Sequence, residues 1–125
     1  MKIKVPISIG ELFDKISILQ IKREKIKEVK KQANLINELK LLENAIHSLG
    51  DPEGYIAELK KVNEKLWGVE EEIRDCERRK DFSPRFIELA RTVYITNDER
   101  SRIKLEINKR FNSSIQEEKS YQEYR

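Results

Sequence analysis

The stretch Ser8-Ile9-Gly10-Glu11-Leu12-Phe13-Asp14-Lys15-Ile16-Ser17-Ile18-Leu19 decides the fold class. Its apolar residues Ile9, Leu12, Ile16 and Leu19 recur at threes and fours. The pattern resumes, after one miss at Arg23, at Ile26, Val29, Ala33, Ile36, Leu39, Leu42, Ile46 and Leu49. This is the period of an amphipathic α-helix; a strand would alternate by twos. Ser8 and Glu11 form a capping-box signature, in which the hydroxyl accepts from a free amide and the carboxylate turns back to the Ser8 amide. A first helix is therefore predicted from about Ile9 to Gly50, a residue suited to a left-handed terminus. Lys30 to Asn34 is its weakest part and predicts a kink or break.

Outward from this stripe, Asp51-Pro52 reads as an N-cap and first helical position. A second helix follows with Ile56, Leu59, Val62, Leu66, Val69, Ile73 and Cys76 on one side. Ser83-Pro84 starts a third, with Phe86, Ile87, Ala90, Val93 and Tyr94 on one face before Asn97 and Arg100 interrupt it and Ile103, Ile107 and Phe111 resume it. Thr96-Asn97-Asp98-Glu99 looks like a further capping box, so this helix either splits near Ile95 to Asp98 or carries a polar layer. The expected fold is all-α: one domain over residues 1–125, an up-and-down bundle of three long helices, the first coiled-coil-like. Residues 1–7 are expected as an extended arm and 112–125 as a polar, partly docked tail.

With 26 Lys and Arg against 23 Asp and Glu, 39% charged and 38% hydrophobic residues, composition alone would also suit a disordered chain. The sustained helical period excludes that. No apolar run reaches the roughly 20 residues of a membrane span and the N-terminus lacks a signal-peptide core, which predicts a soluble, cytoplasmic protein without a membrane partner. A single Cys76 and a single His47 give no disulfide and no His/Cys zinc site, and no cofactor or metal is expected. An unbroken first helix of about 40 residues would be about 60 Å long, too long for one small globule to cover. Either it breaks or a second copy covers it, and a homodimer is the expectation.

The basic run from Lys22 to Lys31 holds six positive and two negative charges. No aromatic residues interleave and Glu24–Lys27 and Glu28–Lys31 pair one turn apart, so a solvated face is favoured and nucleic acid is not. Glu72-Ile73-Arg74-Asp75 matches only half of the paired-carboxylate pattern of helical nucleotide hydrolases. Trp67 is expected as a core or dimer anchor, with Gly68 letting a neighbouring helix approach.

More informative are charged residues that share or border the packing stripes: Glu11, Asp14 and Lys15 on the first helix; Arg74, Asp75 and Arg78 on the second; Asn97, Asp98 and Arg102 on the third. If these sides meet, Arg74, Arg78 and Arg102 could grip a phosphate or carboxylate of an anionic small molecule in forked geometry. The plainer expectation is an ion-pair network that fixes helix register.

The segments Ser8–Leu19, Leu66–Glu77, Phe86–Arg91 and Tyr94–Arg100, with the tail Glu117-Glu118-Lys119-Ser120-Tyr121, together resemble a family of short bacterial and phage proteins of unknown function. Its members are sometimes encoded near surface-polysaccharide glycosyltransferases. The resemblance implies no catalytic residues. It leaves two expectations: a non-enzymatic helical adaptor or assembly protein with a possible surface-glycan link, or a small enzyme or binding module for a phosphorylated or carboxylated metabolite.

Overall fold

The computed structural model describes residues 1–124; Arg125, the last residue of the tail, lies outside them. Four helices follow in order, α1 (Ile9–Lys25), α2 (Val29–Ala45), α3 (Tyr55–Arg78) and α4 (Pro84–Arg110), with no strand among the described residues. The expected count of three long helices is corrected. The first stripe is divided between α1 and α2, while the third helix runs unbroken through Ile95 to Asp98 and carries the polar layer instead.

The break falls at Ile26–Glu28, ahead of the weak stretch from Lys30 to Asn34. Ile26 turns extended, and the Gln32 side-chain amide reaches back to donate to the carbonyls of Arg23 and Ile26. Those carbonyls are among the acceptors that a helix end leaves open, so one side chain of α2 completes the end of α1. The gain is coverage: two helices of 17 residues, each about 26 Å long, fold back so that α2 lays Leu39 against the core, with Leu35 and Leu42 packed at its edge. The chain covers much of its own stripe.

Helix α1 packs against each of the other three, α3 pairs with α4, and α2 approaches only α1 among the described residues. Phe13, Ile16, Leu59, Ile103 and Ile107 meet fully buried at the centre, each stabilising by roughly 1.5–3 kcal/mol relative to exposure. Phe13 also meets the Phe111 ring at 5.3 Å, which ties the end of α4 to the start of α1. The antiparallel course of α3 and α4 is marked by Arg85–Glu72 at 2.7 Å near one end and Arg102–Glu58 at 3.9 Å near the other.

Among the glycines, it is Gly10 that lies tight against a neighbouring backbone, not Gly68. A Cβ on Gly10 would stand 2.5 Å from the Lys104 carbonyl oxygen, whereas one on Gly68 would meet nothing within 4 Å. Gly10 N–H also donates to Asn108 Oδ1 at 2.7 Å, so α1 enters the bundle tight against α4.

Helix ends depart from expectation in detail. Ser8 Oγ accepts from Glu11 N–H at 3.1 Å as a cap should, but the Glu11 carboxylate goes to Lys104 on α4 and not back to Ser8. Helix α3 begins at Tyr55, three residues beyond Pro52, and the Asp51 carboxylate caps it by accepting from Tyr55 N–H at 2.8 Å and Ile56 N–H at 3.0 Å. Helices α3 and α4 end in left-handed Lys80 and Asn112, each followed by an amide that donates five residues back, to Cys76 O and Asn108 O. No helix among the described residues is long and apolar enough to cross a membrane.

Candidate functional site

Asp14, on the side of α1 that faces α3 and α4, is fully buried. A buried carboxylate is tolerated only when its charge and lone pairs are met. Here Arg100 of α4 donates from Nε to Oδ1 at 3.0 Å and to Oδ2 at 3.1 Å, and from Nη2 to Oδ2, while Asn63 of α3 donates to Oδ1 at 2.9 Å. Asn63 donates at 2.9 Å to Ser17 Oγ as well, and that hydroxyl donates to the Asp14 carbonyl at 2.7 Å. One residue from each of α3 and α4 is thus fixed to α1 through a single carboxylate. The bond to Asp14 holds the Arg100 guanidinium above the ordinary arginine pKa, against burial that favours its neutral form.

One turn further along α4, Lys104 is only 12% exposed. Its Nζ donates to Glu11 Oε2 at 2.7 Å and to Glu117 Oε2 of the tail at 3.2 Å. Burial pulls the Lys104 pKa down most strongly, but the bond and charge of Glu11, the charge of Asp14 and the bond to Glu117 together outweigh it, so the net shift is upward. Glu117 is held below the usual glutamate range by its bonds to Lys119 and Lys104. Lys15 approaches Glu11 at 3.9 Å from the solvent side.

Thr96 is buried in the same stretch of α4, and its hydroxyl has no partner among the described residues. Replacing it with the isosteric Thr96→Val removes an unmet polar group from the interior and should stabilise the fold by about 0.5–2 kcal/mol in denaturant unfolding. A loss of stability would mean the hydroxyl is satisfied in solution.

Of the nine residues singled out from sequence, the structure brings Glu11 and Asp14 to α4, where Asn97 and Asp98 lie beside Arg100, while Lys15 stays exposed and reaches only Glu11 of its own helix. Asn97 Oδ1 is 3.5 Å from Arg100 Nη1, and Asp98 accepts from the Tyr124 hydroxyl of the tail. Arg102 turns to Glu106 at 2.5 Å and Glu58 at 3.9 Å. Arg74, Asp75 and Arg78 are not part of this cluster. Asp75 sits at the end of α3, held by Arg78 and, at 2.9 Å, by Arg79, whose bonds lower its pKa; Arg74 is exposed beside Trp67 and makes no ion pair among the described residues. The expected convergence of Arg74, Arg78 and Arg102 on one cavity therefore does not occur. The three lie at separate points of α3 and α4, and Arg78 and Arg102 are engaged with neighbouring carboxylates.

Trp67 is half-buried and donates to Glu71 at 2.7 Å, Cys76 is buried, and His47 is exposed. No group of three or more His, Cys, Asp or Glu side chains among the described residues could hold a metal ion. Open hollows flank the polar layer. One of about 330 Å³ runs between α4 and the tail past Ser8, Asp98, Lys104 and Glu117, and one of about 230 Å³ beside it takes in Asn97, Arg100 and Tyr121.

Sequence reasoning passed over Arg100, Asn63 and Ser17 as members of the site. Arg100 carried a signal, since it interrupts the α4 stripe between Val93 and Ile103 where an apolar residue is due. Asn63 and Ser17 carried none, being short polar residues beside Val62 and Ile16.

Compared with known proteins, the chain matches over residues 3–124 a family model described as a family of unknown function, DUF6165. No curated protein and no solved structure matches it.

Proposed function

The chain belongs to that family of unknown function, and from this premise and its geometry we propose that it is a non-enzymatic helical adaptor or assembly protein acting as a homodimer. The observation that carries the reading is the outer half of the α3–α4 hairpin. From Trp67 on α3 to its end at Arg78, and from Phe82 just ahead of α4 to Ile95 within it, only Cys76 and Leu89 are buried. Phe82 (53% exposed), Ile87 (56%) and Tyr94 (44%) face outward, and Ile87 and Tyr94 lie two turns apart on one side of α4. A two-helix arm with so thin a seam is half of a four-helix arrangement, which a second copy would complete by symmetry.

The ionic centre supports the same reading from the other side. Asp14, Arg100 and Asn63 meet one another's main bonding needs and leave no nucleophile beside a base, which suits a register-fixing network better than a reaction centre. The length of the first stripe no longer favours a dimer, since the break lets α2 cover it; the hairpin arm now does. The link to surface-glycan metabolism rests on the resemblance alone.

Light scattering during gel filtration should give twice the 14.9 kDa chain mass, and Ile87→Glu should shift it to one chain mass with helical content retained, because Ile87 is exposed within one chain, and with a lower melting temperature, because the partner's stabilisation is lost. A single-chain mass for the unaltered protein across micromolar to near-millimolar concentration would end the dimer reading.

A further inference from the structure

We propose that the groove between α4 and the C-terminal tail is a phosphate-monoester site which the chain fills with its own Glu117 carboxylate. The carboxylate is seated between two ammonium groups, with Oε2 3.2 Å from Lys104 Nζ and Oε1 3.2 Å from Lys119 Nζ. Lys104 approaches from the bundle, nearly buried and aimed by Glu11 behind it. Lys119 approaches from the tail itself and lies 5.5 Å over the Tyr121 ring. The two hollows of about 330 and 230 Å³ share Asp98, Ser101, Lys104 and Lys119, so the seat opens on both sides into space a larger group could occupy.

The chemistry favours a phosphoryl group over the carboxylate present. Glu117 brings one negative charge and gives each lysine one oxygen. A phosphate monoester brings up to two charges and three terminal oxygens, and charge-assisted bonds of this kind are the strong ones. A third donor is at hand: Arg100 lines the second hollow and spends Nε and Nη2 on Asp14, while Nη1 has only the 3.5 Å approach to Asn97 among the described residues. The remainder of the ligand would extend past Ser101 and Asp98, whose polar groups suit hydroxyls. Because Glu117 is tethered, it competes at an effective concentration on the order of millimolar, which makes the unaltered protein a weak binder. The tail is also fastened beyond this point, where Tyr124 bonds Asp98 and stacks edge-on to Tyr94 at 5.0 Å, so Glu117 can yield while Lys119 stays in place.

The test is a titration with inorganic phosphate at constant ionic strength, followed by the amide NMR shifts of Ser101 and Lys104. Glu117→Gln should bind phosphate about tenfold more tightly than the unaltered chain, and adding Lys119→Met should remove the gain. Both residues are in the exposed tail, so neither change threatens the fold. Acetate should gain less from Glu117→Gln than phosphate does. Equal phosphate affinity in the unaltered chain and Glu117→Gln overturns the proposal, as does a gain that survives Lys119→Met. An equal gain for acetate overturns the assignment to phosphate. All three results are read on the monomer or the dimer alike and leave the adaptor reading to its own experiment.

Discussion

Asp14→Ala is expected to lower stability by about 3 kcal/mol, toward the lower end of the range for breaking a buried ion pair because Arg100 remains 27% exposed and keeps some water. Against a total of roughly 5–15 kcal/mol for a domain this size, that is a large fraction, and it corresponds to a fall in melting temperature of about 10 °C or more. Two groups lose partners at once. Arg100 is left charged at the edge of the core, and Asn63 keeps only Ser17. Asp14→Met with Arg100→Met removes both charges together and should recover part of the loss, giving a coupling of about 2 kcal/mol in a double-mutant cycle. A fall of under about 3 °C for Asp14→Ala, or strict additivity in the cycle, would show that the pair does not hold the three helices together.

The second large effect is one of sign. Alanine in place of glycine inside a helix ordinarily stabilises by about 0.5–1 kcal/mol. Gly68→Ala should do so, since the new methyl group meets nothing within 4 Å. Gly10→Ala should do the opposite and destabilise by about 2–3 kcal/mol, because its Cβ would stand 2.5 Å from the Lys104 carbonyl oxygen, and a backbone atom cannot turn aside as a side chain does. Separating α1 from α4 to make room also stretches the Gly10–Asn108 bond and the Lys104–Glu11 and Arg100–Asp14 contacts above it. Thermal melts of the two variants side by side decide it. If Gly10→Ala melts no lower than the unaltered chain, the close crossing does not exist in solution.

These two residues also show what could be read from the chain and what could not. Three amphipathic stretches and their starts near Ser8, Asp51 and Ser83 are visible because capping chemistry and a helical period are local. A kink or break is legible near Lys30 to Asn34, but its place at Ile26–Glu28 is not, since that turn holds neither glycine nor proline and is completed by the side chain of Gln32, whose role depends on the helix it follows. Both glycines lie inside helices and look alike in sequence; only the position of α4 tells Gly10 from Gly68. Within the site, Asp14 stood out as a carboxylate beside a packing stripe, and Arg100 interrupted one, but which partner a charge chooses is set by how helices cross. Arg74 and Arg78 occupy an equally suggestive spacing and face solvent.

The division of the first stripe has a consequence for how the protein comes apart. Helix α2 approaches α1 alone, has Leu39 as its one buried residue, and is joined to the rest by a three-residue turn on one side and the stretch from Ile46 to Gly54 on the other. The ionic centre and the aromatic contact of Phe13 with Phe111 all lie outside it. Loss of α2 therefore breaks none of the polar bonds that join α1, α3 and α4, and two cooperative units of unequal strength are expected: a three-helix kernel clasped by one carboxylate, and a flap whose amides exchange with solvent before those of the kernel.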